Sequence, residues 1–324
     1  LRKVCEHADT IFVTMSDHDA DGYSGWQTDR YSVALAEVEA GGAPAGLLDV
    51  QGRIADIKAA HAVTGHTYRV EFRGDGRYVV EDLTSGKRES HAVADGNLVG
   101  VPGVRITLDG APKPGDVVAI RTTPVAPLEY LIHEGMLLYP IALFIEAVMA
   151  DEHDELQADA LRYLGLIRDN FVPKWDRCWV DAPEGRGAYT ATDSPAERTP
   201  GRLLPHNQYA MHAQAYAVLD PYLPDLALAG RAEQMARNFR ANVRAVGDAY
   251  AWNYWDWDGG HSGAEDSSHA AINVGLVVEG AQRGVVFDAS DASRIARTLL
   301  DVMWNGSLTE PNVGDRVDTA DGDT

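Results

Sequence analysis

The chain has 324 residues, of which 45% are hydrophobic and 24% charged, enough for a large core and one or two domains. Its formal charge of −21 makes nucleic acid a poor partner, because phosphate binding needs a basic stripe. No uninterrupted apolar run reaches the length of a membrane span.

Residues 1–65 read as helical. Tyr31–Glu39 and Ile54–Val63 space apolar and small residues as helices do, and Gly41-Gly42-Ala43-Pro44 breaks them apart. Asp17-His18-Asp19-Ala20-Asp21-Gly22 is a loop. Trp26-Gln27-Thr28-Asp29-Arg30-Tyr31 could line the mouth of a site or serve as ordinary packing.

Residues 66–123 change character. Tyr68-Arg69-Val70-Glu71-Phe72 and Val104-Arg105-Ile106-Thr107-Leu108 alternate with period two, and Gly74-Asp75-Gly76 and Asp109-Gly110 mark turns. Short strands punctuated by Gly, Asp and Pro predict a small all-β module inserted in the chain. The run Tyr68–Ile120, especially Gly110-Ala111-Pro112-Lys113-Pro114-Gly115-Asp116, resembles β-modules of flagellar hook-associated proteins.

Residues 124–308 return to a helical pattern, and three stretches share one layout. His133-Glu134-Gly135 precedes Met136–Ala150, His206-Asn207 precedes Gln208–Leu219, and Glu265-Asp266-Ser267-Ser268-His269 precedes Ala270–Glu279. Each apolar run is followed by an amphipathic one: Leu156–Phe171, Asp225–Val246 and Ser290–Trp304. Helices apolar on most faces are buried, and amphipathic ones cover them. Inner–outer alternation predicts a mainly α fold, an α/α toroid of helix hairpins to which residues 1–65 add further turns. The polar acidic stretch 309–324 reads as a solvated tail.

The chemistry-bearing residues cluster at the predicted inner helix starts. A helix N-terminus offers free N–H groups and the positive end of a dipole, which suits a carboxylate or sulfate. His206-Asn207 would add donors there, although Pro205 and Asn207 also fit a plain helix start. Tyr250-Ala251-Trp252-Asn253-Tyr254-Trp255-Asp256-Trp257 is too ring-rich for a core helix and suits stacking on sugar faces, or an aromatic plug. Glu265, Asp266 and Ser267 suit a helix cap, which leaves His269 one turn in unexplained. His133 is another candidate lining residue. Residues 172–204, with Lys174, Arg177, Arg186, Arg198 and Arg202, are charge-balanced in an otherwise acidic chain and could compensate an anionic ligand. Cys5 and Cys178 could pair or stay free. Neither a CxxC nor an HExxH is present, so no metal motif is read.

Trp252-Asn253-Tyr254-Trp255, Glu265-Asp266-Ser267-Ser268-His269-Ala270 and the upstream His206-Asn207 together resemble uronate polysaccharide lyases and C5-epimerases of the α/α-toroid class, with alginate-lyase-like members nearest. The resemblance spans Glu129–Trp304. It implies Tyr254 as the acid/base, His206 and Asn207 as neutralisers of a uronate carboxylate, and His269 as a second base or support. Trp26, Arg30, His133, Arg202, Trp252, Trp255 and Glu265 would contact the substrate. No metal or organic cofactor is required, the partner is an acidic polysaccharide, and the setting is secreted or periplasmic. The chain departs from the class in lacking its last hairpins and C-terminal β-sandwich, and in carrying the β module. A glycoside hydrolase would instead need two carboxylates across the bond, with Glu134, Asp256, Glu265 and Asp266 as candidates. A non-catalytic glycan-binding or adhesion protein is the rival of a different class.

Overall fold

A computed structural model describes residues 1–39, 48–49, 54–60, 63–73, 75–95, 98–150, 154–257 and 259–318. It divides into two compact units. The first joins Leu1–Gln27, Glu129–Thr192 and Thr199–Thr324; the second joins Thr28–Leu128 and Asp193–Arg198.

The second unit is built of two antiparallel sheets around one apolar core. In the larger, the strands run in the order Leu35–Val38, Asp116–Thr123, Thr67–Phe72, Arg77–Asp82 and Arg88–Ala92, and Leu48–Asp49 adds a short parallel pairing to Asp116–Thr123. Val70 sits opposite Val118 on one side and Val80 on the other. The smaller sheet orders Ile54–Ala59, Val104–Leu108 and Leu98–Val101. Thr67–Phe72 alternates half-buried and buried positions as its period-two sequence requires. Tyr68, Val70 and Phe72 thereby meet Val99, Ile106, Leu108 and Ile120 in the core.

The first unit carries the helices. They are α1 (Arg2–Phe12), α2 (Leu131–Ala150), α3 (Asp154–Leu166), α4 (Val172–Lys174), α5 (His206–Leu219), α6 (Leu228–Ala241), α7 (Ser267–Arg283) and α8 (Ala289–Arg297). A wider π turn, Ile167–Phe171, links α3 to α4. Helix α5 lies at the centre, packed by α2, α6 and α7, and for that reason it is apolar or small on almost every face. Each large apolar side chain it buries stabilises the fold by about 2 kcal/mol. Close approach of α2 and α5 depends on Gly135: a Cβ there would lie 2.7 Å from His212 Nδ1 and 2.8 Å from Met211 Cβ. Asp266 caps α7 by accepting from the N–H groups of Ser268 and His269. Cys5 and Cys178 are both buried.

The mainly α toroid is overturned. Helix makes up 42% and strand 26% of the structure, with several small antiparallel sheets. Helices α2 and α3, α5 and α6, and α7 and α8 follow one another where helix hairpins were expected, but among the described residues of 1–65 the one helix is α1. Leu35–Val38 and Ile54–Ala59, expected to be helical, are strands. Val38 pairs with Ile120, and Ile57 pairs with Ile106. Cross-strand pairing of apolar residues outweighs local spacing there. The breaker Gly41-Gly42-Ala43-Pro44 lies outside the described residues. Of the acidic stretch 309–318, part is docked: Val317 is 1% exposed, Val313 bridges Trp304, and Arg316 bridges Asp266. Among the described residues, one helix, Leu131–Ala150, is long and apolar enough to cross a membrane, and half of its most apolar window is buried in the protein.

Candidate active site

Three separate segments of the helical unit converge on one cleft. The first is the aromatic loop after the hairpin Arg244–Val246/Ala249–Ala251. Its Tyr254 N–H donates to the Gly263 carbonyl at 3.0 Å, and Asn253 bridges Ala264. The second is the first turn of α7, which carries His269. The third is the C-terminal segment, where Ser267 N–H donates to the Asp315 carbonyl at 2.8 Å. Tyr254, Ser262, Asp266, His269 and Arg316 line an open cleft of about 400 Å³. The rings of Tyr254 and His269 lie 5.2 Å apart, tilted by 56°.

The electrostatics of the cleft follow from these placements. His269 Nδ1 lies 2.5 Å from Asp266 Oδ2, which leaves Nε2 as the ring nitrogen that is not committed to the cap. Burial pushes the Asp266 carboxyl up, but bonds from Ser268 and His269 outweigh it and hold the group at about 2. Arg316 brings a fixed positive charge and donates through Nη1 to the Ala264 carbonyl at 2.9 Å. The site thus sets a phenol, an imidazole and a guanidinium around one open volume.

His206 and Asn207 do not share that cleft. His206 is 1% exposed, and both of its ring nitrogens are engaged. Nδ1 lies 2.6 Å from the Tyr209 hydroxyl and Nε2 lies 2.7 Å from Asp256 Oδ2. Asn238 donates to Tyr209 at 3.0 Å, and Asn253 donates to Asp256 at 2.8 Å. Asp256 sits below the ordinary carboxylate value, because bonds from His206 and Asn253 outweigh the upward push of burial. Asn207 is also buried, and its Oδ1 meets no donor among the described residues. The role of carboxylate neutraliser expected for these two residues is therefore corrected: they are enclosed beneath the loop. His206 N–H donates to the Tyr254 carbonyl at 3.3 Å.

The expected substrate contacts are scattered. Trp252 is 1% exposed and donates its indole N–H to Glu265 Oε2, so it is core rather than a sugar platform. Trp255 donates to the Leu203 carbonyl at 2.6 Å and packs on Trp257 with centroids 4.7 Å apart. Trp26 stacks between Phe12 and Phe171 and bonds Thr14. His133 stands in the first turn of α2 with its ring edge-on to Tyr130. Arg202 is exposed and does not line the cleft. Arg30 belongs to the β unit, its guanidinium over Tyr31. Glu265 is fully buried and does not reach solvent.

Sequence reasoning missed Arg316, which sits in a stretch read as a solvated tail. It also missed a buried cluster in which Lys174 bonds both Glu129 and Glu134, and Trp175 donates to Glu134 at 2.6 Å. The cue for the second was a lysine, the rarest charged residue in this chain, placed in an apolar stretch beside a tryptophan.

No family model matches the chain, and no curated protein matches it. Among solved structures, two crystal forms of Xanthomonas campestris FlgL are similar to part of it. One is 24% identical over 36% of this chain and 35% of that chain, with a TM-score of 0.21. The other is 22% identical over 37% of each chain, with a TM-score of 0.22. The chain thus spans little more than a third of the length of the FlgL chains it matches.

Proposed function

We propose that this protein cleaves an acidic, uronate-containing polysaccharide by β-elimination. The supporting observation is the pairing of Tyr254 and His269, with rings 5.2 Å apart, on the wall of an open cleft that also presents Arg316. A 4-linked uronate has a weakly acidic C5–H next to its carboxylate. Arg316 pairs with that carboxylate and stabilises the negative charge that develops as C5 loses its proton. Tyr254 passes its hydroxyl proton to His269, takes the proton from C5 as the phenolate, and gives that proton to the leaving O4, after which His269 can return the first proton. The C5–H and C4–O4 bonds break, a C4–C5 double bond forms, and the proton ends on the released hydroxyl.

A hydrolase reading is less well supported. It needs two carboxylates facing the scissile bond. Glu265 is enclosed, Asp266 is committed to capping α7, and Asp256 is bonded to His206. Glu134 lies in the buried lysine cluster. The test is incubation with alginate, glucuronan, heparosan, hyaluronan and pectate while following the ultraviolet absorbance of an unsaturated uronate. A rise with at least one polymer supports elimination; new reducing ends without that absorbance refute it.

A further inference from the structure

The three cleft side chains stand on segments that meet at a single residue, Glu265. Its N–H donates to the Trp252 carbonyl at 3.2 Å, and its carbonyl accepts from Val317 N–H at 2.9 Å. Trp252 lies two residues before Tyr254, and Val317 directly follows Arg316. The side chain repeats the connection: Oε2 accepts from the indole N–H of Trp252 and, at 2.5 Å, from Asn273 Nδ2 on α7, the helix that carries His269. Glu265 is 0% exposed, and its second oxygen, Oε1, meets no donor among the described residues.

That enclosure decides the protonation state. An ionised carboxylate would place charge on an oxygen that meets no donor among the described residues, which is costly in a buried site. A neutral acid keeps both N–H bonds on Oε2 and carries its proton on Oε1. We propose that Glu265 is a positioning residue, a neutral carboxylic acid that holds Tyr254, His269 and Arg316 in register, and that its ionisation releases this alignment. The proposal rests on the reading of the cleft as an elimination site. Burial pushes the group up to about 8, beyond the opposing effect of its two N–H bonds. The charged and titratable groups around it are few. Asp266 on the α7 cap adds to the upward push. Tyr209 on α5 has its own hydroxyl raised in part by Glu265. Arg316 on the C-terminal segment is turned to the Ala264 carbonyl.

The test compares wild type with Glu265→Gln, which keeps an oxygen to accept both N–H bonds but cannot ionise. The substrate-free readout is the indole N–H resonance of Trp252, with near-ultraviolet circular dichroism, followed through about pH 8. Wild type should show a transition there, and Glu265→Gln should not. The alkaline fall in turnover should likewise move to higher pH in Glu265→Gln. Glu265→Asp, which ionises but is shorter, should not reproduce the Gln profile. Absence of the wild-type transition, or its persistence in Glu265→Gln, overturns the proposal. A transition that glutamine abolishes, in a protein that cleaves no uronate polymer, upholds the positioning role and removes the elimination reading alone.

Discussion

His206 Nε2 lies 2.7 Å from Asp256 Oδ2, which ties the first residue of α5 to the hairpin that follows the aromatic loop. The other ring nitrogen meets Tyr209, one turn further along the same helix. A histidine that looked from its position like a ligand-binding group is instead the strut that holds the floor of the loop carrying Tyr254.

Asp256→Ala should therefore destabilise the fold by about 1–3 kcal/mol, the cost of leaving a buried imidazole N–H without an acceptor. The Asp256 carboxyl is held below its ordinary value of 3.8, so its contribution is present above that value and is lost as pH falls through the folded-state value. Thermal unfolding should show a wide gap between variant and wild type near neutrality, closing under acid conditions. An equal gap at both pH values contradicts the pairing.

The buried lysine cluster predicts the opposite pH trend. Burial pushes Glu134 up to about 7, against the lowering effect of Lys174 and Trp175. A raised acid contributes stability that is complete below its unfolded value and is lost as pH rises through its folded one. Stability from this group should thus decline between about pH 4.5 and 7. Lys174→Met should cost about 3–5 kcal/mol, because two carboxylates lose their buried cation. Gly25→Ala tests the same packing, since a Cβ at Gly25 would lie 2.0 Å from Lys174 Nζ. Chemical denaturation of both variants measures these losses; a wild-type midpoint for Gly25→Ala contradicts the packing.

Arg316→Ala should lower kcat/KM by at least about tenfold, since a hydrogen bond to a charged group contributes roughly 1.5–3 kcal/mol. The residue is exposed, so the melting temperature should move little. Arg316→Lys should recover part of the loss, as a point charge without the planar fork. Steady-state kinetics with the best polymer checks this, and an Arg316→Ala enzyme with wild-type kcat/KM removes the arginine from the site.

The sequence disclosed these features unevenly. The starts of α2, α5 and α7 were legible because a switch to apolar runs, and at α7 a capping residue, are local signals, although the role of His206 at the start of α5 was not. Thr67–Phe72 and Val104–Leu108 were legible because a half-buried sheet enforces period two, whereas Arg88–Ala92 and Leu98–Val101 carry no such signal and were not read. Leu35–Val38 was not, since its partner Asp116–Thr123 lies some 80 residues away and only that pairing makes a strand of it. Arg316 was hidden in an acidic stretch without periodicity, and its place in the cleft comes from the bridge to Asp266. The burial of Glu265 was hidden too: its neighbours Trp252 and Asn273 are separated from it by 13 and 8 positions, and a carboxylate at a helix start has an adequate local explanation as a cap.

The most direct test of the account is turnover of Tyr254→Phe on whichever acidic polymer gives the unsaturated product. Phenylalanine keeps the ring beside His269 and removes the hydroxyl to which the proposed mechanism gives the proton transfer. Turnover should fall by at least about a hundredfold with little change in substrate affinity, because the lost interaction belongs to the transition state. A Tyr254→Phe enzyme that forms unsaturated uronate at the wild-type rate would contradict the proposed chemistry.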